Sequence, residues 1–587
     1  MKMKQRIIIT LLVFSCMMLI LLGRLVQIQL IATESFTDKH INLIERSVTQ
    51  RTQAVVVDDG RGHFIDRNGE ELGEERYPAL IVFPFLQTKN EILEQVAHMI
   101  GVSQREIKKQ IQDSRSKPLI FQQGEKPYKL TKEQMEKVNR SDILGIVATE
   151  MKMKQTPNIA EHLIGVAGEN EKEFEKRYGE IKQFASKTPI GISGLQQSFD
   201  EFLVADGEAK LLYHVDRQGE PIFGKRVKYT SPANPFYPVT VQTTIEKTLQ
   251  KKAEEVVQKY KLKKGGLLLL DVKTNEIVAM VSKPSVQMND NQSYKQRLEN
   301  QMLTPHFPGS VFKTVIAAAA IDYDLVYPHR MFDCDTDPYG ENKAEIMMGK
   351  RTFTESFVRS CNRTFAVLGN ELMKRDKGVI ETYTEALGAG KTVGWKGTVF
   401  HTSSFKQLPE EKESVVWKDK ENSRSQKAIA QTAIGQKDVR LSPLAIANMM
   451  ATIARGGEKK EIKAVKEIRY KNGTTLYRFE DHTLAGKRVS YRTVKKIQGL
   501  LRKVVTMEHG TGISFQSLPL SVAGKSGTAQ TGKENRVNRW FAGYFPYENP
   551  RYALVVVDIE TNSEQNIVTP IFKEFVQDIA QWENDMK

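Results

Sequence analysis

The sequence predicts a multi-domain α+β protein carried on an N-terminal membrane helix. Three observations predict it. The chain opens with an uncharged apolar run, Ile7 to Leu22, preceded by Lys2, Lys4 and Arg6. A connector, Ser231-Pro-Ala-Asn-Pro-Phe-Tyr-Pro238, places three prolines in eight residues, which favours extended backbone between two folded regions. Beyond it, strand-like runs stand at both ends of the C-terminal region with helical runs between them. A sheet built from both ends and covered by helices follows. At 587 residues the chain is too long for one ordinary domain. The expected division is 1–30 for a cytoplasmic tip and anchor, 31–230 for a first α+β region, and 231–587 for a second.

In the N-terminal run only Thr10 and Ser15 are polar. It is short for a span, and Leu25, Val26, Ile28 and Leu30 lengthen it if Arg24 snorkels. The preceding cations keep the N-terminus cytoplasmic and export the rest. No small-x-small site follows, so an uncleaved anchor is expected rather than a removed signal peptide. Cys16 then lies in the membrane core. Cys334 and Cys361 are the other cysteines, too few for a disulfide scaffold; whether they pair is open. No Cys/His spacing fits zinc, so no metal is expected. The net charge of +15 draws the chain to polyanions, among them anionic lipid or cell wall. No Lys/Arg block interleaved with aromatic residues stands out, so nucleic acid is not an expected partner.

Along the first region, Leu30 to about Ser47 predicts a polar-faced helix and Thr52 to Val57 a strand. Arg61 to Leu72 predicts a hairpin turning at Asn68-Gly69. Glu91 to Ile111 is helical, with a break at Val102-Ser103. Leu130-Thr131 starts a capped helix, His162 to Gly168 is a strand or turn, and Gly191 to Leu203 is a turn into a helix. In the second region a helix from Thr243 to about Lys261 precedes a hairpin, Gly265–Asp271 and Glu276–Val281. A mostly helical stretch to Leu387 and a polar excursion from Gly390 to Lys427 follow. Leu441 to Ile453 is a buried helix stopped by Gly456-Gly457. Ser521–Gln530, Trp540–Phe545 and Tyr552–Ile559 are strands, and Ile571–Trp582 a closing helix.

The chemistry starts at Pro308-Gly309-Ser310-Val311-Phe312-Lys313, which leads into an Ala-rich run. A helix beginning near Ser310 puts Lys313 one turn on, on the same face, so that hydroxyl and amine touch. An amine kept neutral by burial can take the proton of a serine that is a poor nucleophile by itself. Ser-x-x-Lys occurs three times: Ser114/Lys117, Ser310/Lys313 and Ser403/Lys406. Only the middle one opens a buried-looking helix. Two further motifs follow in order: Ser360-Cys361-Asn362 and Lys525-Ser526-Gly527. Acyl transfer needs a nucleophile, a proton relay, oxyanion donors and a clamp for an anionic substrate group. Ser310 and Lys313 supply the first pair. Ser360 shuttles a proton, and Asn362 holds a substrate amide and steadies Lys313. Lys525, with the hydroxyls of Ser526 and Thr528, clamps a carboxylate. Gly527 lets a peptide approach the strand closely.

These motifs, in this order, resemble those of class B penicillin-binding proteins, bitopic peptidoglycan D,D-transpeptidases. The resemblance covers nearly the whole chain. Arg61-Gly-His-Phe-Ile-Asp-Arg-Asn-Gly69, Gly191 to Leu203, Gly435-Gln436 with Pro443-Leu444, Val522 to Ala529 and Trp540 to Pro546 match further family signatures. Among members the chain is most similar to the minor penicillin-binding protein 4b type of Gram-positive rods. The resemblance implies a penicillin-binding transpeptidase domain with a serine β-lactamase-like antiparallel sheet flanked by helices. It also implies a non-catalytic pedestal, and an oxyanion hole made by the N–H groups of Ser310 and Thr528. No cofactor is implied. The implied partners are peptidoglycan stem peptides, β-lactams, the plasma membrane and a glycan-polymerising protein, with the catalytic domain extracellular. A β-lactam sensor or hydrolase, a D,D-carboxypeptidase and a non-catalytic scaffold are the alternatives. The chain departs from the family pattern at Gln196, where Glu is usual, at Asn275, where Gly is usual, and at His306-Phe307 before the nucleophile. His306 is read as structural, with a substrate-contacting rim residue as the alternative.

Overall fold

The computed structural model describes residues 2–33, 42–44, 52–114, 118–124, 126–154, 159–179, 188–205, 207–216, 228–286 and 294–586. The first helix, Lys2–Val26, runs on through a wider turn, Gln27–Ile31. Among the described residues it alone is long and apolar enough to cross a membrane, with a mean hydropathy of 2.4. Most of the expected Leu30–Ser47 helix lies outside the described residues.

The described chain folds as two compact units. One comprises Met1–Gly60, Arg76–Met153 and Gly207–Ala233; the other comprises Arg61–Glu75, Lys154–Asp206 and Asn234–Lys587. In the first unit the expected strand is present as Thr52–Asp58, paired antiparallel with Ala209–His214. The helical stretch is broken where expected. Asn90–Ile100 ends on Gly101, whose φ of +73° suits glycine, and Gln104–Asp113 follows. Lys132–Arg140 opens with a capping box, in which Thr131 accepts from the Gln134 N–H and Gln134 reaches back to the Thr131 N–H. Leu80, Val82, Leu93, Val96, Ile107 and Phe121 form the core beneath these helices.

The second unit carries two five-stranded sheets. Its elements are α1 (Lys247–Lys259), β1 (Gly265–Asp271), β2 (Ile277–Lys283), α2 (Lys313–Asp322), α3 (Asn362–Arg375), α4 (Pro443–Ala454), α5 (Tyr491–Thr506), β3 (Ala523–Gln530), β4 (Arg536–Phe545), β5 (Tyr552–Asn562) and α6 (Val568–Asp585). The central sheet is antiparallel in the order β2-β1-β5-β4-β3, so strands from both ends of the region meet as expected. β1 and β5 are almost wholly buried, because helices cover both faces. α1 and α6 pack on one face through Leu249, Val256, Phe572 and Phe575. α2 and α4 fill the other; every α4 residue is buried, and Ser442 caps its first turn by accepting from the Ala445 N–H. The β1–β2 turn places Asn275 at φ +59°, which asparagine tolerates in place of glycine.

The second sheet runs Thr475–Arg478, Val465–Arg469, Thr240–Thr243, His63–Ile65, Glu71–Leu72. The Arg61–Leu72 hairpin is present, and its first strand pairs in parallel with Thr240–Thr243. That pairing is why 61–75, assigned by chain order to the first region, packs within the second unit, as does 154–206. Asp66 accepts from the N–H groups of Asn68 and Glu70 and from that of Lys247 at the start of α1, and Arg67 binds Glu276. Arg61 is held by Asp200, Gln196 and the Pro189 carbonyl.

Local expectations differ in three places. His162–Gly168 is a helical turn, Glu161–Ile164, and then a short strand, Ala167–Gly168. The helix expected from Thr243 starts at Lys247, since Thr240–Thr243 is taken into the second sheet. The helix expected from Ser310 starts at Lys313, and Gly309–Val311 forms a tighter 3₁₀ turn.

Candidate active site

Ser310 sits in that 3₁₀ turn, half-buried, between α2, which is buried from Lys313 to Ile321, and strand β3. The turn lies very close to β3. A Cβ on Gly309 would stand 2.4 Å from the Thr528 carbonyl oxygen, and one on Gly527 2.7 Å from the Pro308 carbonyl oxygen. Gly309 also has φ +52°. Only glycine fits at these two positions, and the close approach brings the backbone of Ser310 beside that of Thr528.

Lys313 starts α2 and has no exposed surface. Its Nζ donates to the Ser360 carbonyl (2.8 Å) and to Asn362 Oδ1 (2.7 Å), and stands 3.1 Å from Ser360 Oγ, a hydroxyl able to donate to a neutral amine. The ring of Phe365 lies 5.4 Å from it. Lys525, on β3, is equally buried and donates to the same Ser360 Oγ at 3.1 Å and to the Ser526 carbonyl at 3.1 Å. Among the described residues no carboxylate pairs with either lysine. Burial and the neighbouring Lys525 hold the Lys313 amine well below the usual lysine range, and burial alone lowers Lys525 to about 7. Two buried like charges without a counter-ion favour losing a proton, and a neutral Lys313 is a base.

Ser360 takes φ +62°, an unusual backbone for a serine, in the loop between the helix Phe353–Val358 and α3. Asn362 begins α3 with its Oδ1 turned to Lys313, which leaves its Nδ2 donors for a substrate carbonyl. Between them, Cys361 is bridged to Cys334, with Cα atoms 5.9 Å apart. The question the sequence left open is thus answered by a bridge that ties the motif loop to the strand Met331–Asp333. On β3, Lys525 and Gly527 face inward and Ser526 and Thr528 face outward, by the alternation of a strand. The Ser526 hydroxyl donates to that of Thr511 at 2.8 Å. Thr511, between Gly510 and Gly512, belongs to none of the motifs read from the sequence.

The structure therefore brings Ser310, Lys313, Ser360, Asn362, Lys525, Ser526, Gly527 and Thr528 together where the nucleophile turn meets β3. One expected contact is missing. No hydrogen bond joins Ser310 to Lys313, whose Nζ is taken up by Ser360 and Asn362. The other two Ser-x-x-Lys matches form no such cluster. Ser403 and Lys406 lie three apart in the strand Thr402–Lys406, on opposite faces, and Lys117 lies outside the described residues. His306 exchanges backbone hydrogen bonds with Leu441, and burial lowers its ring to about 4, which fits the structural reading better than that of a rim residue.

A serine, a buried neutral amine, a bridging serine, an amide and a second lysine are the parts of a serine acyl-transfer site. The comparisons agree. The model of the penicillin binding protein transpeptidase domain matches residues 265–577, and that of the penicillin-binding protein dimerisation domain matches residues 57–237. The chain belongs to the penicillin-binding-protein transpeptidase family. It is similar to stage V sporulation protein D of Bacillus subtilis, 24% identical over 521 residues, covering 84% of this chain and 73% of that protein. It is similar to penicillin-binding protein 3 of the same organism, 25% identical over 537 residues and covering 85% and 73%. It is also similar to the peptidoglycan D,D-transpeptidase FtsI of Escherichia coli, 25% identical over 422 residues, where it spans 66% of the relative's length. One solved structure, from work on a peptidoglycan synthase complex that coordinates polymerization and crosslinking, covers 98% of both chains with a TM-score of 0.64 and 20% identity. It shares the fold.

Proposed function

We propose that this chain is a membrane-anchored serine D,D-transpeptidase that crosslinks peptidoglycan stem peptides and is acylated by β-lactams. The observation that carries the reading is the buried, carboxylate-free pair Lys313 and Lys525 meeting on one Ser360 hydroxyl. In this reading neutral Lys313 takes the proton of Ser310 as its Oγ attacks the carbonyl of the penultimate D-Ala. The N–H groups of Ser310 and Thr528 hold the oxyanion. The C–N bond then breaks, Ser360 gives its proton to the departing D-Ala amine and takes up the one held by Lys313, and Ser310 keeps the acyl group. The amine of a second stem peptide attacks the ester, forms the crosslink and returns the proton to Ser310. Asn362 holds the substrate amide, and Lys525, Ser526 and Thr528 hold the terminal carboxylate. β3 stands at the edge of the sheet, where the peptide lies along it as an added strand.

The family membership and the site geometry support this reading. The division of labour proposed with it is an anchor, 1–30, a non-catalytic pedestal, 31–230, and a catalytic region, 231–587. It divides the chain by role, since parts of the pedestal segment pack with the catalytic unit. The cations before the apolar helix put the N-terminus in the cytoplasm and the catalytic region outside. A separate protein is proposed to polymerise the glycan, in keeping with the synthase complex that shares the fold. The finer assignment to the minor 4b type rests on motif likeness and on two long-matching relatives from Bacillus subtilis. Fluorescent penicillin tests the reading: wild type is labelled covalently, and Ser310→Ala remains folded and unlabelled. Stoichiometric labelling of Ser310→Ala would overturn it.

A further inference from the structure

α5 presents a face that packing does not explain. Its apolar side, Val494, Ile497, Leu500, Leu501 and Val504, lies in the core. At about 100° per residue, Arg492, Lys495, Lys496, Gly499 and Lys503 share an arc of about 100° on the outer side. These cations are exposed, as are Lys487 and Arg488 just before the helix. Between Asp481 and Glu508 the chain holds no acid. Other surface helices of this unit mix their charges. α1 sets Glu254 and Glu255 among its lysines, and α6 sets Lys573 beside Glu574 and Asp578. Lys487 lies over the ring of Tyr383 at 4.6 Å and Lys495 over that of Tyr491 at 5.4 Å; among the described residues none of the α5 cations forms an ion pair. Asp322 reaches the start of α5 but accepts from the hydroxyls of Ser490 and Thr493. The arrangement works against the helix. Arg492 and Lys496 repel across one turn, and Arg492 stands in the first turn, where the helix dipole favours acids.

Gly499 stands mid-helix, in the middle of that arc. A Cβ there would meet nothing within 4 Å, so no packing asks for glycine, which weakens a helix interior. It leaves bare backbone between Lys495 and Lys503, each four residues away, where a ligand can come close. Arg492 to Lys503 spans about 16 Å at 1.5 Å per residue, the reach of a chain with repeated charges rather than of one small anion. Lysine and the arginine fork both suit phosphate oxygens. An anionic bilayer fits less well, because helices that lie on membranes turn apolar residues to the lipid, and those of α5 are in the core. Nucleic acid fits less well too, since the arc carries no ring on which a base could stack.

We propose that the outer face of α5 is a docking surface for a linear phosphodiester polymer, one whose repeats are polyol phosphates rather than nucleosides. It holds the protein against that polymer and takes no part in acyl transfer, so it stands independently of the acyl-transfer reading. The test titrates full-length protein, in a neutral detergent, with fluorescently labelled poly(glycerol phosphate) across a range of salt. Wild type should bind with an affinity that falls steeply as salt rises. The triple variant Arg492→Gln, Lys496→Gln, Lys503→Gln should bind about tenfold more weakly or worse, with a shallower salt dependence. Gly499→Leu keeps every charge and has open space for its side chain, so the fold is expected to hold. It should bind several-fold more weakly, because it blocks the close approach. Both variants should be labelled by fluorescent penicillin at the wild-type rate. Unchanged polymer affinity in either variant would overturn the proposal. So would equal displacement of the polymer, at matched charge, by polyglutamate, by single-stranded DNA or by phosphatidylglycerol in mixed micelles.

Discussion

Two clusters of buried charge sit in the second unit and obey opposite rules. Around Arg61 every charge is matched. Asp200 accepts from Arg61, Arg177, Tyr178 and the Gly191 N–H, and both Arg61 and Asp200 are only 4% exposed. Around Ser360 the two buried lysines share neutral oxygens and no carboxylate. The first arrangement stabilises charge and locks segments together. The second destabilises charge and leaves an amine ready to accept a proton. Both clusters carry motif residues that the sequence singled out. The presence or absence of a counter-ion separates the structural motif from the chemical one.

Four changes break or sharpen that contrast. Lys313→Ala should lower the acylation rate by about 10²–10⁴, the range of a lost general base, with little loss of stability; stopped-flow acylation checks it. Asp200→Ala should do the reverse. It strands Arg61 and should cost about 3–5 kcal/mol in denaturant unfolding, while the pH profile of acylation in the folded protein stays in place. Lys525→Met should weaken carboxylate recognition and stabilise the fold. The sign follows from linkage. A lysine with a folded pKa near 7 binds fewer protons folded than unfolded between about 7 and its ordinary value. Wild-type stability should therefore rise with pH through that window, and the Lys525→Met gain should be largest below it and fade above. Thermal melts across pH measure this. The smallest effect belongs to Gln196→Glu. It restores the residue usual in the family beside Arg61 and should shift stability by about 1 kcal/mol or less, because Asp200 already matches the charge.

The sequence was most readable where one residue type had one physical use. The Ala-rich run after Ser310, the glycines at 309 and 527 and the turn at Asn68-Gly69 each carried a local requirement that the fold meets. Ser360/Asn362 and Lys525 were legible as partners because acyl transfer needs them, and they meet on Lys313 and Ser360. What was not legible depends on pairings distant in the chain. The parallel pairing of His63–Ile65 with Thr240–Thr243 draws the N-terminal hairpin into the second unit, and no local pattern announces it. The Cys334–Cys361 bridge needed the loop of Ser360 to meet the strand at Met331. Thr511 needed the end of α5 to meet β3. The one hydrogen bond inferred from helical spacing and not found, Ser310 to Lys313, is displaced by partners distant in the chain, Ser360 and Asn362, which take up the amine.

The central claim is that Lys313 is neutral because it is buried beside another lysine without a counter-ion. Its ¹³Cε chemical shift, assigned by comparison with Lys313→Met and followed through a pH titration, reads that state directly. A neutral-amine shift at mildly alkaline pH, moving only on acidification, is the predicted result. A protonated shift there, titrating near the ordinary lysine value, would contradict the account.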